Sequence, residues 1–579
     1  MGFASIRTKL GRCRCALSAS VVLRRNALAT TERDPWGDRF SDEERALLTP
    51  FVTDVDAPVF GLRNLPDVVR GALFSRYSRS DKSLRRILLD EFIQAPEADF
   101  QSIVALSADA AAHQIVAVQR AEAFYERVLI GYGDDSVAEL GGAHVACEGI
   151  SNIAAKALED SRIGISPLEK STRYVAFNRK VEGRYRYLRE PTIMASRHAA
   201  VYEAAMDALF DTYSALIEPV LAAVRAHTPP EEGVSERAYA SATRAKTFDL
   251  LRGLLPLATL TNVGLFGNGR AFEYLLTKLY ASPLAELRSL AAALQRALDD
   301  QIPSFVKRAK SERGKAYQAY LRDTRQEAQS LAESIASRMR AIVPPVADVV
   351  PVTLVSFDPD AEARVVAAIL YPHLDVPLAE ARAIADAMCA DERAGVIRAY
   401  AGRRESRFHR PGRAFEEARY TFDLLADIGA YRDLQRHRML TQERQRFGVH
   451  HGYVVPPEID AYGVGSPFRT ALDQAGVCVA AIAADLPDES QYAVPFAYRV
   501  RWRVTLNLRE AYHLCELRSA PQGHPGYRQI AQEMYRRIAA VHPVLAEGMR
   551  FVDMSDYALE RLDAERRLDE KRRKREQGR

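Results

Sequence analysis

The stretch FEEARYTFDLLADIGAYRDLQRHRMLTQERQRF, Phe415 to Phe447, decides how the chain is read. It opens on the acidic pair Glu416-Glu417, runs through a helix-compatible segment and ends on Arg436-His437-Arg438; Glu443, Arg446 and Phe447 follow within nine residues. Three cationic or protonatable side chains in a row at a helix end are costly to hold together without an anion. Guanidinium forks match phosphate geometry, so a phosphorylated ligand is one reading. The other is a solvated basic helix end, which the helix dipole favours without any ligand.

Working outward, the whole chain has 579 residues, too many for one ordinary core, so two or more domains are expected. It is 47% apolar and 27% charged, and its net charge of +4 is small for this length. That balance argues against a dedicated nucleic-acid surface, and no aromatic-interleaved basic stripe suggests a nucleic acid polymer as partner. No apolar run approaches the length of a membrane span. Cys13, Cys15, Cys147, Cys389, Cys478 and Cys515 are scattered without zinc-type pairing and read as reduced thiols of an intracellular protein. His409, His450 and His451 lie in irregular basic surroundings without a carboxylate at ligand spacing, so no metal is assigned. The first thirty-one residues carry Arg7, Lys9, Arg12, Arg14, Arg24 and Arg25, with no acid before Glu32. An organellar transit peptide, a disordered basic arm and a start codon placed too early all fit that composition; the rest reads as cytoplasmic.

In chain order, residues 1–45 form the basic leader and residues 46–310 a first domain. Within the latter, Thr53 to Phe60 reads as strand or loop. Helical spacing covers Asp99 to Leu129, broken by the turn cluster Gly131 to Ser136, and resumes from Val137 to Ser161. Further helices are expected over Ala195 to His227 and Ser235 to Leu251; Leu255-Pro256 and a run to Asn268-Gly269-Arg270 follow, then a helix to about Tyr280. Residues 311–345 are a charged helical connector. Residues 346–559 are a second domain, opening with a strand at Val352 to Phe357 and a helix at Pro359 to Leu370. Residues 560–579 are a charged tail, frayed or disordered.

The halves share an ordered series of markers. Pro256 is followed after twelve residues by Asn268 and then Arg270; Pro495 is followed at the same interval by Asn507 and then Arg509. An acid precedes each series, Glu139 in one and Glu416 in the other. Each has a loop ending basic-aromatic, Glu169 to Arg173-Tyr174 and Glu443 to Arg446-Phe447. A diverged tandem duplication accounts for the series.

These residues resemble the flavin-dependent thymidylate synthase family, present twice. The second half has the triplet Arg436-His437-Arg438, Glu416 upstream, Asn507, Arg509, His513 and the closing Arg518. Its loop is shortened, and Gln491 stands where a phosphate-binding arginine belongs. The first half lacks the triplet, reading Ser161-Arg162-Ile163 after Glu159-Asp160, and has Leu279 for the closing arginine. It keeps Ser166, Glu169, Ser171, Arg173 and Tyr174, and Arg252 sits four residues before Pro256.

The resemblance implies an α+β fold of two related domains, each a small, mainly antiparallel sheet packed with long helices. It implies reductive methylation of dUMP to dTMP, with 5,10-methylenetetrahydrofolate as co-substrate and FAD reduced by NADPH. The flavin is expected on Arg436, His437, Arg438, Glu416, Glu443, Asn507, Arg509 and His513. The nucleotide is expected on Arg518, Glu169, Ser171, Arg173 and Arg252. Arg438, His437 and Ser171 would be the catalytic set, with Ser171 polarising the nucleotide rather than attacking it. The complementary losses suggest a composite site, intrachain or interchain, in a homodimer that forms a pseudo-tetramer. The same chemistry on another pyrimidine nucleotide, or a catalytically silent flavin- or nucleotide-binding homologue, stays open. So do plainer roles: Asn268 and Asn507 as helix caps, Glu139 and Glu416 as helix-end acids, Tyr174 and Phe447 as core aromatics, Ser171 as a turn serine.

Overall fold

In a computed structural model of the chain, residues 38–78, 80–94, 137–161, 163–340, 342–343 and 350–577 are described. The basic leader to Glu32, the helical pattern at 99–129 and the turn cluster at 131–136 lie outside the described residues. The chain divides into two units, Met1–Ile130 and Gly131–Arg579. The first has helices Asp42–Leu48 and Asp67–Tyr77, with a bend-rich loop over Thr53 to Phe60 rather than a strand.

Both duplicated segments with a sheet lie in the second unit, and its fold is α+β. The first sheet holds β1 (Gly142–Ser151), β2 (Ile165–Glu169) and β3 (Leu260–Asn268) in the order β1-β3-β2. The second holds β4 (Val352–Phe357), β5 (Arg419–Asp427), β6 (Leu440–Arg444) and β7 (Arg499–Asn507) in the order β4-β5-β7-β6. All neighbours are antiparallel. Leaving out the edge strand β4, the two orders are the same.

Helices repeat with the strands. In chain order they include α1 (Asn152–Glu159), α2 (Ala199–His227), α3 (Glu236–Leu251), α4 (Gly269–Tyr280), α5 (Glu312–Met339), α6 (Ala361–Leu370), α7 (Ile428–Leu434), α8 (Gly465–Ala483), α9 (Leu508–Arg518), α10 (Pro525–Val541) and α11 (Leu562–Gln577). Asn268 caps α4 by accepting from the Ala271 N–H at 2.8 Å, and Asn507 caps α9 by accepting from Glu510 N–H at 2.9 Å. Glu139 pairs with Arg270 at 2.7 Å and Glu416 with Arg509 at 3.2 Å, the same link in each copy.

The copies meet across a pseudo-two-fold seam at their matching prolines. Pro256 bridges Pro495; Leu257 N–H donates to Val494 C=O at 2.9 Å, and Phe496 N–H donates to Leu255 C=O at 2.9 Å. Because these two bonds exchange equivalent residues, the symmetry is local and direct. The matching helices α2 and α8 pack on one another beside it.

Two expected helices are largely strands. Val137 to Ser161 contains β1 before α1, because Ala143 and Cys147 turn inward while His144, Ala146 and Glu148 face out. Phe415 to Leu434 contains β5 before α7, because Tyr420, Phe422, Leu424 and Ala426 alternate into the core. The tail is not loose: α11 packs on α3, Ser235 Oγ donates to Asp569 at 2.6 Å, and buried Glu560 accepts from Lys246 at 2.8 Å. The connector is a helix, α5, on which Gly314 is the buried residue. The four described cysteines, Cys147, Cys389, Cys478 and Cys515, are free. Among the described residues no helix is long and apolar enough to cross a membrane.

Candidate active site

Asp427 caps α7 by accepting from the Ala430 N–H at 3.0 Å, and the short helix delivers Arg436-His437-Arg438 to the mouth of a 440 Å³ cleft. The far wall is α9, which contributes Asn507, Arg509, Glu510, His513 and Arg518. The loop before Phe415 adds Arg404, Arg407 and Arg410, and Glu416 and Glu516 complete the charged lining. Seven arginines thus face three carboxylates. Glu516 is held bidentately by Arg404 at 2.6 Å, and Glu416 accepts from Arg509. Among the described residues Arg407, Arg410 and Arg438 have no carboxylate at ion-pair distance. The lining of the cleft therefore carries an excess of positive charge.

His437 is buried between Glu510 and Arg518. Its Nδ1 lies 2.6 Å from Glu510 Oε1, and its Nε2 accepts from Arg518 Nε at 2.9 Å. Burial raises the Glu510 carboxyl to about 7, against the pull of His513, Arg410, Arg518 and Arg509. Burial lowers His513 and Arg518. Ligand atoms of His437, Glu510 and His513 come within 4.8 Å of one another, close enough for a cation. The ring nitrogens of His437 are already engaged and the surrounding charge is positive, so His437 and Glu510 read as a hydrogen-bonded pair with the His513 ring packed beside them.

The first half meets the triplet within the same chain. Arg436 bridges Glu159 at 2.9 Å and Glu169 at 2.8 Å, and Arg438 donates to Ser166 Oγ at 3.1 Å. Glu169 is also gripped by Arg432 at 2.7 Å and Lys156 at 3.1 Å, while Lys156 pairs with Glu159. Burial alone would raise the Glu169 carboxyl; Arg432, Lys156 and Arg436 hold it far below the usual carboxylate range.

Of the sequence-predicted residues, Glu169, Ser171, Arg173, Arg252 and Glu443 sit outside the lining of this cleft. Arg173 is buried on Asp249, with Nε 2.6 Å from Oδ1, and donates to Gln522 C=O at 3.4 Å. That guanidinium holds Asp249 well below its ordinary value against the effect of burial. Arg252 reaches Asp433 at 3.5 Å, and its Nη2 has no hydrogen-bond partner. Ser171 is a turn serine: its Oγ accepts from the Arg173 N–H at 3.2 Å. Glu443 is exposed and faces Arg503 across the strand pair. Its place is that of Leu168 in the first sheet, since the ladders align Arg444, not Glu443, with Glu169. Asn507 lines the cleft, yet its side-chain oxygen serves as a cap. Phe447 is a core aromatic, and Tyr174 is exposed beneath Arg561.

Asp433 joins the two groups of residues. Burial would raise its carboxyl, but Arg252, Arg173, Arg436 and Arg518 lower it to about 2. Two of these arginines come from each half. Sequence reasoning missed Asp433, Glu510 and the arginines of the 404–410 loop; the basic run AGRRESRFHRPGR, residues 401–413, was the visible signal for the last.

The chain thus has a duplicated α+β unit with an arginine-rich cleft beside its Arg-His-Arg triplet. The family model described as thymidylate synthase complementing protein matches residues 89–304 and 353–544, once in each half. The chain belongs to that family. A UPF0159 protein of Chlamydia muridarum is 43% identical over 530 residues, covering 91% of this chain and 98% of the relative. A UPF0159 protein of Thermoplasma acidophilum is 34% identical over 544 residues, covering 87% and 99%. The duplication is therefore shared along the full length of these relatives. A solved structure titled as a UMP/dUMP methylase, PolB from Streptomyces cacaoi with 5-Br dUMP, is 22% identical. It covers 34% of this chain and 94% of its own at a TM-score of 0.28, a likeness that carries no argument here.

Proposed function

We propose that the chain is a flavin-dependent thymidylate synthase-like enzyme, converting dUMP to dTMP with 5,10-methylenetetrahydrofolate, NADPH and FAD in the cleft beside Arg436-His437-Arg438. The observation that carries this reading is the uncompensated charge of Arg407, Arg410 and Arg438 in a 440 Å³ cleft of a family member. That volume lies within the roughly 300–1,000 Å³ of small-molecule sites. A flavin dinucleotide brings a pyrophosphate and a nucleotide a monophosphate, so the donor set fits both. Bound FAD would supply the hydride.

The chain's own residues bind and orient. Arg407, Arg410 and Arg438 take phosphate oxygens. Arg509, fixed by Glu416 and by the Pro411 carbonyl at 2.9 Å, and His513 line the flavin side. Arg518, held by His437, reaches the nucleotide. Glu169 acts through Arg436 rather than by touching substrate. Arg173 and Arg252 set the field around Asp433 behind the cleft, where the Arg252 Nη2 is buried without a hydrogen-bond partner. Ser171 shapes the turn that places Arg173. Two chains pairing would bring four halves together as a pseudo-tetramer, the assembly expected for the active protein.

The test is spectral. Purified protein reconstituted with FAD should show a flavin spectrum that NADPH bleaches anaerobically, faster with dUMP present, and should then form dTMP when the folate is added. No retained flavin after reconstitution would overturn the reading, leaving a nucleotide-binding protein.

A further inference from the structure

Glu510 occupies the third position of α9, where an acid would ordinarily turn back to close a capping box. Here its backbone N–H is taken by Asn507, and its side chain turns instead to His437. On the other side of the ring, Arg518 Nε donates to Nε2. A guanidinium can only donate, so Nε2 must present a lone pair. The ring proton is then on Nδ1 and points at Glu510 Oε1. The tautomer is fixed by its two neighbours. A proton arriving on Nε2 would set N–H against N–H and release Arg518.

We propose that Glu510 is a positioning residue of the cleft: by accepting from Nδ1 it keeps His437 in the form whose Nε2 holds Arg518, and so sets where the terminal nitrogens of that arginine point. The groups facing Glu510 are His437 and Arg410 from the preceding elements and Arg509, His513 and Arg518 from its own helix. With the carboxyl near 7, the change falls close to neutrality: charged Glu510 holds the ring at alkaline pH, and the hold weakens as the carboxyl takes up a proton. Only the affinity readout below rests on the function proposed above; the state of the imidazole does not.

The experiment uses the full-length protein labelled with 15N-histidine, with the His437 signals identified by their loss in His437→Asn. At pH 8.5 His437 should be neutral with its proton on Nδ1, and its spectrum should change with a midpoint near pH 7. Glu510→Gln retains an accepting oxygen, so the tautomer should persist while the midpoint near 7 disappears. Glu510→Leu removes the acceptor, so the Nε2-protonated form should appear. It should also weaken dUMP binding about ten-fold, and Glu510→Gln should restore that affinity at pH 8.5. A proton on Nε2 in the wild-type protein at pH 8.5 would overturn the inference. So would an unchanged midpoint in Glu510→Gln, which decides the matter even where Glu510→Leu does not fold. If the wild-type protein binds neither FAD nor dUMP, the proposed function fails and the imidazole spectra still judge this inference alone.

Discussion

Asp433→Asn is the perturbation whose size the structure fixes best. The carboxyl falls from an ordinary 3.8 to about 2 because Arg252, Arg173, Arg436 and Arg518 outweigh its burial. A depressed carboxyl adds stability above its ordinary pKa and loses it as pH falls through the folded value. At about 1.4 kcal/mol per pKa unit, the charge contributes roughly 2–3 kcal/mol at neutral pH. Its side chain is 21% exposed, so water screens the group and this figure is an upper bound. The substitution also strands the buried Arg252, and breaking one partner of a buried pair costs roughly 3–5 kcal/mol. The expected loss is about 2–5 kcal/mol, which in a unit of about 450 residues lowers Tm by roughly 2–5 °C. Thermal unfolding followed by circular dichroism should show this drop, constant from pH 8 to pH 5. Inorganic phosphate should raise the Tm of the variant more than that of the wild type, because an anion replaces the missing charge among the arginines. An unchanged or higher Tm in Asp433→Asn, with no response to phosphate, would refute the placement of these four arginines around one carboxylate.

Arg438→Ala removes a charge-assisted contact worth roughly 1.5–3 kcal/mol, so the Kd for FAD should rise from about ten-fold to over a hundred-fold while Tm hardly moves; flavin fluorescence titration reads the first and thermal unfolding the second. Arg173→Ala leaves Asp249 buried without its partner and should cost about 3–5 kcal/mol, much of it recovered in the double variant with Asp249→Asn, where no charge is stranded. Mixing Arg436→Ala chains with Arg173→Ala chains should restore no turnover, because Arg436 already meets Glu169 and Arg173 already meets Gln522 inside one chain. Recovered activity would show that a working site takes its halves from different chains.

The duplication was legible because its markers do structural work in both copies. Asn268 and Asn507 cap helices, Glu139 and Glu416 pair with Arg270 and Arg509, and Pro256 touches Pro495. Each is a local requirement that survives divergence. The strands β1 and β5 were harder to read, because each runs straight into a capped helix with no turn between them. Around Leu424-Leu425-Ala426 consecutive residues are buried, and alternation blurs into a helix-like apolar run. Asn507, Arg509, His513 and Arg518 were expected beside the triplet from the family resemblance, and the structure brings these residues to one cleft. Arg173 could not be placed by motif: its partner Asp249 lies 76 residues away, and the pair hides the arginine from the cleft. Glu510 was passed over because an acid in a first helical turn is ordinary, and only its direction, toward His437, is not.

Divergence between the copies has a physical consequence at the seam. Where the second half has Arg518, the first has buried Leu279; where the first has Arg252, the second has Gln491, whose Oε1 accepts from the Phe447 N–H at 3.2 Å. Neither copy could gather four arginines alone, yet across the seam Arg173 and Arg252 join Arg436 and Arg518 around Asp433. The loss of the triplet in the first half works in the same direction. Near it, at the end of α1, stands Glu159, which together with Glu169 neutralises Arg436. Through its Nη2 this arginine acts as a strut between the halves. In the proposed function, anion capture then falls to Arg438 and to the 404–410 loop. The asymmetry therefore leaves the cleft on the triplet side lined by second-half residues, with ion pairs to the first half bracing Arg436 at its edge.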